Sequence, residues 1–166
     1  MIRGILALGA LAACGGTAAP DAGLADGACV GTLSGNLAEP ISAAECAALV
    51  REGDGQLALR LDIPSAVAAT TFGVEIELGP APAVGAYGPA TVTAWSALAL
   101  RDAAPGTCVY RAGATAVPAG SFALTLDALD AGTLTAHGSL EVVLYVLAVT
   151  TANCGPGDTE TISIAF

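Results

Sequence analysis

The chain has 166 residues, a formal net charge of −10, and 54% apolar against 12% charged residues. This length makes one ordinary domain, and the acidity disfavours nucleic acid and anionic lipid headgroups as partners, since like charges repel. The basic residues are all arginines, and the apolar fraction is swollen by alanine, so high hydropathy does not by itself imply a membrane-embedded body.

The chain opens with Met1-Ile2-Arg3, an apolar stretch from Gly4 to Ala10, and Leu11-Ala12-Ala13-Cys14. A positive head, a short hydrophobic core and small residues before a cysteine form a secretory signal over 1–13. The apolar run stops at Ala13 and Gly15-Gly16 follow, well short of the roughly 20 residues a membrane-spanning helix needs.

Leu11-Ala12-Ala13-Cys14 resembles the lipobox of bacterial lipoproteins. The resemblance covers about a tenth of the chain and concerns processing, not activity. It implies cleavage before Cys14, a diacylglyceryl group on the Cys14 thiol, acylation of the new amine, and partnership with a membrane through that lipid. Gly15 is not the aspartate associated with inner-membrane retention, so the resemblance points to the outer membrane, facing the periplasm or the cell surface. The competing reading is an ordinary signal peptide with an incidental cysteine.

Residues 14–27, rich in Gly, Ala and Asp without apolar periodicity, read as a flexible tether. The globular domain is expected over 28–166. A weak strand is expected at Cys29–Leu37. Ser42-Ala43-Ala44-Glu45 then has the Ser-x-x-Glu form of a capping box, and a short helix over 43–51, stopped by Gly53, competes with a strand there.

Beyond it, alternation with period two dominates. Gln56–Ile63 sends Leu57, Leu59, Leu61 and Ile63 to one face, and Pro64 ends the strand. Thr71–Leu78 sends Phe72, Val74, Ile76 and Leu78 inward and Glu75 and Glu77 outward. Thr91–Leu100 and Thr107–Ala112 are weaker strands. Ser121–Ala128 alternates again through Phe122, Leu124 and Leu126, and the Asp130-Ala131-Gly132 turn, with glycine as its left-handed residue, leads into Thr133–Thr150. Gly138 marks a bulge or bend in that long run. The closing strand, Thr159–Phe166, puts Ile162, Ile164 and Phe166 on one face. The expected fold is all-β: an antiparallel two-sheet sandwich of about eight strands. A final phenylalanine also suits an outer-membrane barrel, but the aromatics are too few for two interfacial girdles.

With Cys14 set aside, Cys29, Cys46, Cys108 and Cys154 form an even set, which in an exported protein reads as disulfides. Three pairings are open, and closeness in sequence favours Cys29–Cys46 with Cys108–Cys154. A Cys₄ zinc site lacks the short Cys-x₂₋₄-Cys spacing it requires.

No residues assemble a catalytic or cofactor motif. His137, the single histidine, would be the base of a hydrolase, yet Gly31-Thr32-Leu33-Ser34-Gly35 does not match a Gly-x-Ser-x-Gly elbow. Glu75 with Glu77, or Asp127 with Asp130, are carboxylate pairs that would need a cleft to separate their pKa values. Asp54 and Asp158 are calcium candidates without a full ligand loop. Trp95 falls out of phase with Leu98 and Leu100, so alternation turns it outward and a bulge would bury it; burial is favoured. Exposed, Trp95 and the turn residue Tyr87 would contact a sugar or a partner protein. The leading expectation is a structural or interaction role with an envelope protein partner and no catalysis. A carbohydrate- or calcium-binding module is the alternative, and a small hydrolase the second.

Overall fold

The computed structural model describes residues 27–35, 39–43, 45–63, 70–103, 106–149, 154 and 158–166. The signal expected over 1–13, Cys14 and the expected tether through residue 26 lie outside them, as does residue 44 of the expected capping box. The described residues build eleven strands and no helix. These are β1 (Cys29–Ser34), β2 (Glu39–Ala43), β3 (Ala47–Arg51), β4 (Leu57–Ile63), β5 (Thr70–Gly79) and β6 (Gly85–Tyr87). They continue as β7 (Ala94–Ala103), β8 (Gly106–Gly113), β9 (Ser121–Asp130), β10 (Thr135–Val149) and β11 (Thr159–Ala165).

All pair antiparallel in one curled sheet. Its main path runs β2-β1-β11-β10-β8-β7-β5-β4-β3, with β9 on β10 and β6 on β9. The 15-residue β10 is the fork. One edge carries β11, while the other carries β9 along Thr135–Val143 and β8 along Tyr145–Val149. Strands β8 and β9 thus follow one another along β10, and residues 114–120 loop out between them.

The curl brings the two ends of the path together. Gly27 O accepts from Cys46 N (2.6 Å) and Ala47 N (3.1 Å), and the Cys29–Cys46 disulfide ties the start of β1 to the residue before β3. Arg51 Nη2 donates to Ala131 O in the β9–β10 turn (3.0 Å). A second disulfide, Cys108–Cys154, ties β8 to the β10–β11 connection. Both pairings are the sequence-local ones.

Alternation places the core as expected on β4, β5, β9 and β11. Leu57, Leu59, Leu61, Ile63, Phe72, Ile76, Leu124 and Ile162 are all essentially inaccessible, each contributing about 1.5–3 kcal/mol on burial. The apolar side chains turn inward, and Arg60, Asp62 and Glu75 turn to the outer face. This is the reverse of a membrane barrel, whose apolar band faces lipid.

Four expectations are corrected. The helix over 43–51 is instead the edge strand β3, whose Leu49 pairs with Leu59 and Ala47 with Leu61. A helix this short is marginal alone, whereas the neighbouring strand supplies backbone partners and Cys46 is held by its disulfide. The strand number is eleven rather than about eight, because β2, β3 and the three-residue β6 are short pieces without their own periodic signal. In the β9–β10 turn the left-handed residue is Leu134 (φ 59°), not Gly132. There the Asp130 carboxylate accepts from the Gly132 (2.7 Å) and Thr133 (3.1 Å) amides, fixing the first half of the turn and shifting the reversal onward.

The fourth correction concerns the phase of β7: Trp95 is buried, as favoured, but not by a bulge. Trp95, Ala97, Ala99 and Arg101 face inward, while Leu98 and Leu100 are 44% and 39% exposed. The β5–β7 register is continuous through Trp95, so no bulge is needed: the leucines, not the tryptophan, occupy the outer phase. Gly138 does sit at a register shift, opposite Leu126 while His137 faces Ala128. A Cβ there would collide with Thr125 O, and Gly138 exchanges two backbone hydrogen bonds with Phe166 (2.8 and 2.9 Å). The bulge needs glycine at this crossing of β9, β10 and the chain's last residue.

Candidate functional site

Two constellations arise from residues that are far apart in sequence. The first lies on the outer face, where β4, β5, β7, β8 and β10 form a groove of about 580 Å³. Gly73 and Ser96 lie along it, and a Cβ at Gly73 would meet nothing within 4 Å. Arg60, Asp62 and Glu75 form one wall. Arg60 donates from Nη2 to Glu52 (2.8 Å) and from Nε to Glu75 (3.1 Å), so its own charge is engaged while the wall, with Asp62, keeps an excess of carboxylates. The carboxylates hold the Arg60 guanidinium pKa above its ordinary value, Glu75 most strongly.

The other wall is Leu98, Arg111 and Leu147. Leu98 lies directly opposite Arg111 across β7 and β8, and Arg111 lies opposite Tyr145 on β10. Leu147 is the extra residue where the β8–β10 register shifts, and it is 56% exposed. Beside it the 114–120 loop contributes Thr115, Val117 and Pro118 to an adjoining depression of about 240 Å³ that shares Arg111 and Leu147.

The second constellation is internal. Arg101 on β7 and Glu160 on β11 are buried and approach to 3.9 Å, beyond hydrogen-bond reach. Tyr110, two residues past Cys108, the partner of Arg101 across β7–β8, is fully buried as well. The Tyr110 hydroxyl, both Glu160 oxygens, Thr70 Oγ1 and Arg101 Nε and Nη1 find no hydrogen-bond partner among the described residues. Burial pushes the Glu160 carboxyl up to about 7. Arg101 opposes that rise, and Glu39 and Asp158 add to it. Burial, then the charge of Glu160, raises the Tyr110 phenol. A carboxyl near 7 has the acidity of a general acid–base, but this one has no accessible surface on which to meet a substrate.

No protein-family model, curated protein or solved structure matches the chain.

The sequence-derived candidates are scattered. Trp95 is buried, with its ring 4.9 Å from that of Phe122 in an edge-to-face contact. The Tyr87 hydroxyl is used locally, donating to Ala83 O (2.5 Å) and accepting from Ala83 N (2.9 Å). Glu75 is engaged by Arg60, while Glu77 lines a separate depression beside Trp95. Asp130 is the turn cap described above, and the Thr133 and Gly132 amides hold its carboxyl below the usual range. Asp127 falls at the bulge between the pairs His137–Ala128 and Gly138–Leu126. Asp54 accepts from Gln56 N (3.0 Å) and Nε2 (2.8 Å), which lower its pKa. Among the described residues no group of three or more His, Cys, Asp or Glu is placed to hold a metal.

Sequence reading missed Arg111, Leu147, Arg101 and Glu160. Glu160 was within reach: it precedes Ile162 and Ile164 by the period of two, so the inward face of β11 extends to it. Arg101 follows from Trp95 in the same way, once the phase of β7 is known. Nothing local marks Arg111, whose setting is made by three strands.

Proposed function

We propose that this protein is a lipid-anchored lipoprotein of the bacterial cell envelope with a protein-interaction role and no catalytic part. The observation that carries the interaction reading is the outer face of β7, β8 and β10, where the exposed Leu98, Leu100 and Leu147 stand beside Arg111. Apolar side chains clustered with arginine on a solvent-facing surface are the composition of a binding surface. The lipobox ending at Cys14 and the polar segment behind it support anchoring, and two disulfides support an oxidising compartment outside the cytoplasm. Gly15 favours the outer membrane. We further read the curl as sandwich-like packing of two sheet halves, on the strength of the Trp95–Phe122 contact between β7 and β9.

Two measurements test this. Fatty-acid labelling of the protein in its host should be abolished by Cys14→Ser, and labelling that persists refutes lipidation at that residue. Crosslinking in native membranes followed by mass spectrometry should give one reproducible partner joined through β7, β8 or β10. Crosslinks spread evenly over the surface would refute the interaction role.

A further inference from the structure

We infer that the outer groove docks a short peptide segment of a second protein in which one carboxylate is flanked by aliphatic side chains. The carboxylate sits on Arg111, and the aliphatic groups lie against Leu98 and Leu147. This rests on the interaction reading above and gives it a partner chemistry.

Four observations converge. Arg51 is held by Ala131 O and Arg60 by Glu52 and Glu75, while Arg101 is buried opposite Glu160. Arg111 has no acceptor among the described residues, and it is exposed on the wall shared by the groove and its adjoining depression. A guanidinium in that state presents a planar donor fork suited to a carboxylate. Two of its neighbours are leucines, Leu98 opposite it on β7 and Leu147 pushed outward by the β10 irregularity, and Tyr145 lies opposite it on β10. Apolar neighbours that shed water on contact strengthen a charged hydrogen bond at their centre.

The groove also has room, since Gly73 leaves it open and its 580 Å³ falls within the usual size of binding clefts. Finally, charge limits what fits. Asp62 and Glu75 on the far wall and a net charge of −10 repel a polyanion. A single carboxylate placed on Arg111 with uncharged aliphatic flanks meets attraction locally and little repulsion elsewhere. A basic segment would find Arg111 in its way.

The test uses the full chain and two synthetic peptides, acetyl-Leu-Val-Asp-Val-Leu-amide and its counterpart with Asn for Asp. Binding is followed by amide chemical shifts. The Asp peptide should perturb Ser96, Leu98 and Arg111 and bind at least tenfold more tightly than the Asn peptide. Arg111→Gln should remove that difference, Gly73→Thr should block binding while the fold is retained, and Arg51→Gln should leave binding unchanged. Equal binding of the two peptides, no binding of the Asp peptide, or an unaltered difference in Arg111→Gln would each overturn the proposal. So would a concentration-dependent dimer lost in Arg111→Gln, which would make the occupant a second copy. A photo-crosslinker at Leu98 in native membranes separates the two levels. A reproducible partner captured there while the Asp peptide fails means that the peptide chemistry is wrong and the interaction reading stands. No partner there and no peptide binding means that both fail.

Discussion

Arg101 Nη1 and Glu160 Oε2 face each other at 3.9 Å across the interior, although β8 and β10 lie between their strands in the sheet. The contact exists only because the sheet curls. Both groups have lost water, and the distance is too long for a hydrogen bond to replace it. The carboxyl of Glu160 accordingly holds its proton up to about pH 7 in the folded chain, against 4.5 for an ordinary glutamate.

Stability should therefore depend on pH in a specific direction. Between 4.5 and about 7 the folded state binds a proton that the unfolded chain has released, so stability falls as pH rises through this window and levels off above it. The slope reaches about 1.4 kcal/mol per pH unit. Urea denaturation of wild type and Glu160→Gln at pH 5.5 and 8 checks this. The variant, which cannot ionise, should show little of the slope. A wild type that gains stability over the same range would contradict the assignment.

The pair should also behave as a costly buried ion pair. Arg101→Met alone removes the counter-charge of Glu160 and should cost roughly 3–5 kcal/mol at pH 8. Arg101→Met combined with Glu160→Leu should lie within about 1 kcal/mol of wild type or above it, because both desolvation penalties vanish together. A double-mutant cycle by denaturant titration measures the difference. Additive losses would show that the two groups do not interact.

The disulfides should contribute unequally. They close loops of 17 and 46 residues, for which the chain-entropy model gives about 3 and about 4 kcal/mol. Replacing Cys108 and Cys154 by serine should lower the unfolding midpoint more than replacing Cys29 and Cys46. Thermal scans of the two double variants decide, and the reverse order would point to native contacts around Cys29–Cys46 as the larger effect.

Two glycines should respond in opposite ways to a side chain. Gly138→Ala drives a Cβ into Thr125 O at the β9–β10 bulge and should cost about 1–3 kcal/mol. Gly73→Thr adds a β-branched side chain in open space on β5 and should stabilise by roughly 0.5–1 kcal/mol. Chemical denaturation checks both, and destabilisation by Gly73→Thr would mean that its surroundings are tighter than an open groove.

The residues by themselves determined the strand class, a disulfide-forming set of four cysteines and the inward faces of β4, β5, β9 and β11, while closeness in sequence only favoured the pairing that the fold adopts. Each rests on information within a few residues or on an even cysteine count: Leu57, Leu59 and Leu61 alternate whatever lies beside them. The phase of β7 was not legible, because Trp95 and Leu98 are both apolar and only the space available inside decides which is buried. The helix read at 43–51 failed for a related reason. Its capping pattern is local, while the strand partner Leu59 and the anchoring Cys29 are distant in sequence. Tertiary structure alone decided the two constellations. Arg111 gains its leucine neighbours from β7 and β10, and Arg101 meets Glu160 through the curl of the sheet. Such encounters depend on strand order and curvature, which no short window of sequence encodes.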